Sequence, residues 1–244
     1  MIVSSFIKNT LICISGIFLN SRKSRCIFYH DIHSEVRFTK MSNSIELFKE
    51  HVETIRNNGF EIVHDIIKED NQISISFDDG WRGIYENIEI INTLRVPVTI
   101  FVIPSFLDQE CFLSKKELVE ISQNPYVKIQ SHTLNHYDLT SIGTDILKKE
   151  LIYSKNIIES LCGTLVDSVC YPKGLFNSKI VDIANDLGYR YQYSSLPGSY
   201  CKEIFPSVKR RSLVQFLTSK QLKYILRGGD SILYFWYRFK HIKK

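Results

Sequence analysis

Short apolar runs alternate with amphipathic runs over most of this chain, and this alternation restricts the fold more than any other feature. Runs typical of β-strands lie at residues 26–30, 73–77, 98–103, 126–130, 166–171 and 189–193. Runs typical of amphipathic helices lie between them, at residues 44–58, 84–94, 115–122, 145–161 and 178–187. Repeated strand–helix units of this kind predict an α/β fold around a mostly parallel sheet, open or closed.

The composition is that of one globular domain. The chain has 244 residues, of which 44% are apolar and 23% are charged, enough for a sizeable single core. The net charge of +5 is mild and gives no reason to expect nucleic-acid binding. The six cysteines form no CxxC pair, which favours buried, reduced thiols over a disulfide framework. Such thiols favour a cytoplasmic or membrane-associated location over secretion.

Both ends of the chain differ from the middle. In the N-terminal segment, residues 1–25, the apolar run 11–19 can form a helix but is too short to span a bilayer. Its basic C-terminal flank and the missing cleavage site argue against a signal peptide. The C-terminal extension, residues 217–244, combines many basic residues with the aromatic run 232–237. This combination suits either a helix packed on the domain or peripheral attachment to a membrane.

Chemically active side chains follow two of the predicted strands. Asp78 and Asp79 end the strand 73–77, and His132 and His136 follow the strand 126–130. The carboxyl ends of parallel strands build the active sites of such folds, so we expect these four side chains to meet. Two histidines and one carboxylate are a common catalytic set for zinc, and the remaining carboxylate can then act as a base. This reasoning leaves open which aspartate has which role.

These motifs resemble those of the polysaccharide deacetylase family, the NodB-homology domain of carbohydrate esterase family 4. Residues 76–80 read Ser-Phe-Asp-Asp-Gly and residues 132–136 read His-Thr-Leu-Asn-His, as in the first two family motifs. Residues 170–174, Cys-Tyr-Pro-Lys-Gly, resemble the third, and Tyr29-His30 resembles the first strand of one branch. The resemblance places the family domain at residues 26–216. It implies a single-domain, distorted (β/α) barrel, often seven-stranded, followed by the basic and aromatic extension.

The resemblance also implies roles for individual residues. Asp78 is then the general base, while Asp79, His132 and His136 hold a divalent metal, with zinc favoured and cobalt or nickel also accepted. The main-chain amide near Lys173 is expected to stabilise the oxyanion. Because they are part of the motifs or lie beside them, the residues expected to contact the sugar are Trp81, Tyr171, Pro172 and Lys173.

The chain also departs from the family pattern. Many members carry an arginine in the third motif that holds the catalytic aspartate, but Cys170 stands at that position here. Arg210 or Arg211 could orient Asp78 instead. The late Leu-x-His motif that supplies a general acid in many members is missing, so we take His30 as the candidate acid.

The predicted function is metal-dependent hydrolysis of an N-acetyl group on an amino sugar of the N-acetylglucosamine type. The substrate would be a bacterial polysaccharide, an oligosaccharide or a lipid-linked glycan, and the role would lie in glycan biosynthesis. Two alternatives stay open. One is an esterase or deformylase acting on an O-acetyl or formamido sugar, and the other is an inactive carbohydrate-binding protein of the same fold.

Overall fold

The computed structural model describes residues 5–201, 205 and 207–243. Eleven strands are formed by the described residues: β1 Arg25–Tyr29, β2 Asp31–His33, β3 Ser42–Ser44, β4 Glu61–Ile62, β5 Gln72–Phe77, β6 Val98–Val102, β7 Val127–Ser131, β8 Ser168–Cys170, β9 Tyr191–Tyr193, β10 Val208–Lys209 and β11 Arg211–Leu213. The α-helices among the same residues are α1 Ser5–Leu19, α2 Ile45–Asn57, α3 Gly83–Glu86, α4 Ile88–Leu94, α5 Lys115–Ser122, α6 Thr144–Cys162, α7 Ser178–Asp186, α8 Ser219–Leu226 and α9 Tyr234–His241.

The large sheet is parallel throughout and runs in the order β10-β9-β8-β7-β6-β5-β1-β11, with β4 paired to the start of β5. Its two ends belong to one stretch of chain. Val208 pairs with Gln192 of β9, and Arg211 pairs with Cys26 of β1, so residues 208–213 join the last strand to the first. Counting this stretch once and β4 as an accessory, the described residues form a distorted barrel of seven strands, which confirms the predicted fold.

The helices cover the barrel because each buries one apolar face. In α2 the buried side chains are Phe48, His51, Val52 and Ile55, at helical spacing. Ser44 begins this helix by accepting a hydrogen bond from the Leu47 amide over 3.2 Å. The predicted single helix at 84–94 is wrong, since it is broken at Asn87. The Asn87 side chain donates to the Gly83 carbonyl over 2.9 Å, in competition with the helical backbone.

The two terminal segments pack on each other and on the barrel. Helix α1 approaches the segment Gly229–Leu233 so closely that a Cβ on Gly229 would lie 2.1 Å from the Ile12 carbonyl oxygen. Arg25 of β1 forms a buried ion pair with Asp230 at 2.7 Å. The predicted limits of these segments, 1–25 and 217–244, stay predictions, and their residues 1–4 and 244 lie outside the described residues. Within the described part of the chain, every helix is too short or too polar to cross a bilayer.

Candidate active site

Asp79, His132 and His136 converge at the mouth of the barrel where the parallel strands end. Asp79 Oδ1 lies 3.4 Å from His132 Nε2 and 3.8 Å from His136 Nε2. The three potential ligand atoms all lie within 4.8 Å of one another. Zinc bonds of about 2.0–2.2 Å keep neighbouring ligand atoms roughly 3.3–3.6 Å apart, so the spacing fits one shared ion. The structure therefore brings the three predicted metal ligands together.

Two loops with left-handed backbone aim these side chains. Asp79, Thr133 and His136 have φ of 75°, 66° and 59°. Such angles are unfavourable for a residue with a Cβ, above all for β-branched Thr133, and they persist only where neighbouring contacts stabilise them. Here the buried Glu150 of α6 accepts two hydrogen bonds from Asn135, one from its main-chain N–H at 2.8 Å and one from its side-chain Nδ2 at 2.6 Å. Helix α6 thus holds the histidine loop in place.

Further hydrogen bonds orient the candidate ligands. His132 Nδ1 lies 2.8 Å from the Cys170 carbonyl oxygen, which requires a proton on Nδ1 and turns Nε2 towards Asp79. Trp81 Nε1 donates to Asp79 Oδ2 over 3.0 Å, so Asp79 Oδ1 is the oxygen turned towards the histidines. Burial and the neighbouring His132 lower the pKa of His136 to about 4, which keeps this ring neutral and able to bind a metal.

Asp78 lies next to the candidate metal ligands but has a different partner. Arg211 forms a bidentate ion pair with Asp78, in which Nη1 donates to Oδ1 over 2.7 Å and Nη2 donates to Oδ2 over 2.8 Å. Burial alone would raise the pKa of Asp78, but the Arg211 guanidinium outweighs burial and the pKa is lowered. Asp78 is therefore an ionised carboxylate in a fixed orientation, as a general base must be.

The structure decides between the two arginines considered for this position. Arg211 is buried in the barrel, where it also bonds Ser76 Oγ at 2.9 Å and lies over the Phe28 ring at 4.3 Å. Arg210 turns the other way and lies 3.9 Å from the ring centroid of Tyr234. An arginine from a different strand thus makes the contact expected of a third-motif arginine.

Cys170 occupies the space that such a third-motif arginine would need. Its sulfur accepts a hydrogen bond from Arg211 Nη2 at 2.8 Å, and it lies 3.7 Å from Asp78 Oδ2. Asp78, His132 and Cys170 also lie close enough to share an ion. This second set fits a metal less well, because burial raises the pKa of the Cys170 thiol and Arg211 already engages both Asp78 oxygens.

The third motif forms a tight turn with one exposed side chain. Tyr171 and Pro172 are buried, and the Tyr171 hydroxyl donates to the Gln192 side chain. The expectation that the Tyr171 side chain contacts a sugar is therefore wrong, since this side chain lies wholly in the core, and the contact expected of Pro172 stays a prediction. The Tyr171 amide donates to the Tyr193 carbonyl, and proline has no N–H. Of the main-chain N–H groups in residues 171–173, the Lys173 amide is the one without a partner among the described residues. Its residue has a φ of 58°.

His30 and Trp81 lie beside the centre. His30 Nδ1 bonds Gln215 Oε1 at 2.7 Å, and His30 lines a cavity of about 540 Å³ together with Lys173 and Arg211. Trp81 stacks on Phe112 with ring centroids 4.2 Å apart, so one face of the indole is already covered. The roles of His30 as acid and Trp81 as sugar platform stay predictions. Gln215 and Phe112 were missed because no local pattern links them to the motifs.

The fold and the site define a parallel α/β barrel with an aspartate–histidine–histidine centre at its carboxyl-terminal mouth. The family model for polysaccharide deacetylases matches residues 66–192, more than half of the chain. The chain therefore belongs to the polysaccharide deacetylase family, whose enzymes are hydrolases of linear amides and are in general metal-dependent.

Individual relatives agree with this assignment. The protein YxkH of Bacillus subtilis (strain 168), whose name places it among the polysaccharide deacetylases, is 22% identical over 192 residues. The match covers 72% of this chain and 66% of YxkH, just under two thirds of that relative. The deacetylase PplD of Streptococcus pyogenes, solved in complex with acetate, superposes with a TM-score of 0.72 at 18% identity, over 84% of this chain and 99% of PplD. The polysaccharide deacetylase BC0361 of Bacillus cereus gives a TM-score of 0.72 at 23% identity, over 84% and 69% of the two chains. At these identities the two superpositions establish the fold.

Proposed function

We propose that this protein is a metal-dependent hydrolase that removes the N-acetyl group from an amino sugar of the N-acetylglucosamine type. The substrate would belong to a bacterial polysaccharide, oligosaccharide or lipid-linked glycan. The observation that carries this proposal is the geometry of two adjacent aspartates. Asp79 faces His132 and His136, whereas Asp78 is held ionised by Arg211. Family membership supports the same chemistry.

A divalent ion held by Asp79, His132 and His136 would supply Lewis acidity and lower the pKa of a bound water. The protein supplies the remaining groups. Asp78 takes the proton of the water that attacks the acetyl carbonyl carbon. The Lys173 amide donates to the developing oxyanion, an interaction that contributes roughly 3 kcal/mol in comparable sites. His30 gives a proton to the amine nitrogen as the C–N bond breaks, and acetate and the free amine are released.

Acetate release from an N-acetylglucosamine oligosaccharide tests the proposal directly. A chelator should abolish turnover and zinc should restore it. Asp78→Asn should lose turnover and keep its metal, because Asp78 is the base and not a ligand. His132→Ala should lose the metal itself, measured by elemental analysis of the purified protein. An active Asp78→Asn variant, or a His132→Ala variant with a full complement of metal, would refute these assignments.

The same assay separates the alternatives. A panel of N-acetyl, O-acetyl and N-formyl sugars, scored for acetate and formate, identifies the acyl group and its linkage. Zinc-loaded protein that binds these sugars and turns over none of them would instead indicate an inactive binding protein.

The proposal also covers where in the cell the protein acts. A cytoplasmic or membrane-associated enzyme of glycan biosynthesis, attached peripherally through the C-terminal extension, agrees with the six free cysteines and with the basic, aromatic character of α9. Fractionation of cells producing the full chain would test this part.

A further inference from the structure

Helix α1 carries its apolar residues on the side that faces solvent. Leu11, Ile14, Ile17 and Phe18 are all exposed, Phe18 to 83%. Ile12, on the opposite side, is buried against the rest of the protein. Lys8 is the one charged residue in Ser5–Leu19. A helix on the surface of a water-exposed domain has the reverse arrangement, so the outer face of α1 is suited to an apolar environment.

Helix α9 and the residues before it carry a second stripe of the same kind. Ile232, Phe235, Trp236 and Phe239 follow one another at helical spacing and are all exposed, Phe239 to 81%. Arg238 and Lys240 alternate with them and are also exposed. Aromatic side chains flanked by cations are typical of helices that lie in the interface of a bilayer.

The two stripes belong to neighbouring elements. Lys8 of α1 contacts the Tyr237 hydroxyl, and its ammonium lies 4.8 Å from the centroid of that ring. The segment Gly229–Leu233, which leads directly into α9, packs against α1 at the close approach between Gly229 and Ile12. The exposed residues of both stripes are hereafter called the docking surface: Leu11, Ile14, Ile17, Phe18, Ile232, Phe235, Trp236 and Phe239.

The charges around the docking surface have one sign. Residues 219–243 contain six lysines and arginines and one acid, Asp230, which is buried in its ion pair with Arg25. A second copy of the chain docked through the same surface would place these cations opposite each other. An anionic lipid surface would instead attract them, by roughly 1 kcal/mol for each cation near the headgroups. The charge distribution therefore favours a membrane over self-association.

The cavity of the candidate active site opens beside this surface. His30, Lys173 and Arg211 line the part of the cavity nearest the catalytic groups, and Lys8, Tyr237 and Lys240 of α1 and α9 line another part. The end of α9 is also bonded to the turn of the third motif, where His241 Nδ1 lies 3.2 Å from the Gly174 carbonyl oxygen. A substrate held at a membrane under α1 and α9 would thus lie beside the part of the cavity that His30 and Lys173 line.

We propose that α1 and α9 dock the protein on an anionic membrane surface and that its acetylated amino sugar is carried by a lipid of that membrane. The second half of this statement rests on the proposed function. Docking lays both helices in the interface and presents the cavity to the sugar of a glycolipid.

Sedimentation with vesicles tests the docking. The probe is a vesicle of phosphatidylcholine and phosphatidylglycerol in equal parts, with pure phosphatidylcholine as the comparison. Phe235→Ser with Phe239→Ser removes two exposed rings and should weaken binding about 100-fold. Ile67→Ser with Leu165→Ser removes two equally exposed apolar side chains, 83% and 68%, outside the docking surface and should leave binding unchanged. Omission of the anionic lipid should weaken binding at least about tenfold.

Three results would overturn the docking. The first is wild-type protein that stays in the supernatant with anionic vesicles. The second is a Phe235→Ser, Phe239→Ser protein that sediments like the wild type. The third is a wild-type dimer in light scattering that these two substitutions convert to a monomer, because the surface would then be a contact between copies.

Two substrates test the lipid carrier separately. The Phe235→Ser, Phe239→Ser protein should release acetate from a soluble N-acetylglucosamine oligosaccharide at the wild-type rate. With an N-acetylglucosamine glycolipid in the anionic vesicles it should be at least about tenfold slower. Equal rates on the glycolipid would refute the lipid-linked substrate. Wild-type protein that releases no acetate from either substrate would refute the proposed function, while vesicle sedimentation still decides the docking.

Discussion

Replacement of Arg211 with methionine removes the cation that holds both oxygens of Asp78 and leaves a buried carboxylate unpaired. Breaking a buried ion pair from one side costs about 3–5 kcal/mol of stability. Without the guanidinium, the burial that raises the pKa of Asp78 loses its main opponent, and the pKa rises. Because a general base must be ionised, kcat/KM of Arg211→Met should fall about tenfold for each pH unit below this raised pKa. In the wild type the pKa of Asp78 is lowered, so Asp78 produces no such decline at these pH values.

The assay is acetate release between about pH 5 and about pH 9, run below the melting temperature of each variant. Arg25→Met is the matched control, because Arg25 also forms a buried 2.7 Å pair, but with Asp230 and not with a candidate catalytic residue. It should lose comparable stability and keep the wild-type pH profile. Arg211→Lys retains a charge and should restore part of the rate. An Arg211→Met profile that superposes on the wild type would show that Arg211 does not control the ionisation of Asp78.

Three further outcomes follow from single contacts. Trp81→Phe removes the donor to Asp79 Oδ2 and should weaken zinc binding about 10–100-fold in competition with a chelating dye; unchanged affinity would rule out this supporting role. Gly83→Ala would place a Cβ 2.3 Å from the Ile32 carbonyl oxygen and should lower the free energy of unfolding by about 1–3 kcal/mol, whereas Gly143→Ala, with no atom within 4 Å, should not. Burial raises the pKa of Asp31 to about 7, so the free energy of unfolding falls as pH rises from about 4 through 7. Asp31→Asn should remove up to about 4 kcal/mol of this fall, measured by urea titration at each pH. A variant with the pH dependence of the wild type would contradict this role of Asp31.

The barrel and the meeting of the three candidate metal ligands could be predicted from the sequence because each depends on a local pattern. Strand periodicity and the order of the motifs place Asp79 and His132 at the carboxyl ends of two strands, and parallel strands bring those ends together. Contacts between distant residues could not be found in this way. His30 and Gln215 are 185 positions apart, and no periodicity relates them.

The error at the third motif has a physical reason. An aromatic residue beside a catalytic turn suits both a sugar platform and core packing, and sequence alone does not show which way its ring points. Tyr171 points inwards because Gln192 offers a buried partner for its hydroxyl and Phe176 stacks on its ring at 5.6 Å. Arg210 precedes β11 and Arg211 begins it, and sequence alone likewise does not show which of these two neighbours faces the barrel interior.

Main-chain hydrogen bonds tie the last described residues to the loop that follows Lys173. The Phe176 amide donates to the His241 carbonyl at 3.0 Å, and the Lys243 amide donates to the Phe176 carbonyl at 2.9 Å. The Lys173 amide, which we propose as the oxyanion donor, is therefore positioned partly by a stretch of chain more than sixty residues further on. Proteolysis between residues 234 and 243 would break these bonds and is expected to lower turnover before it unfolds the barrel.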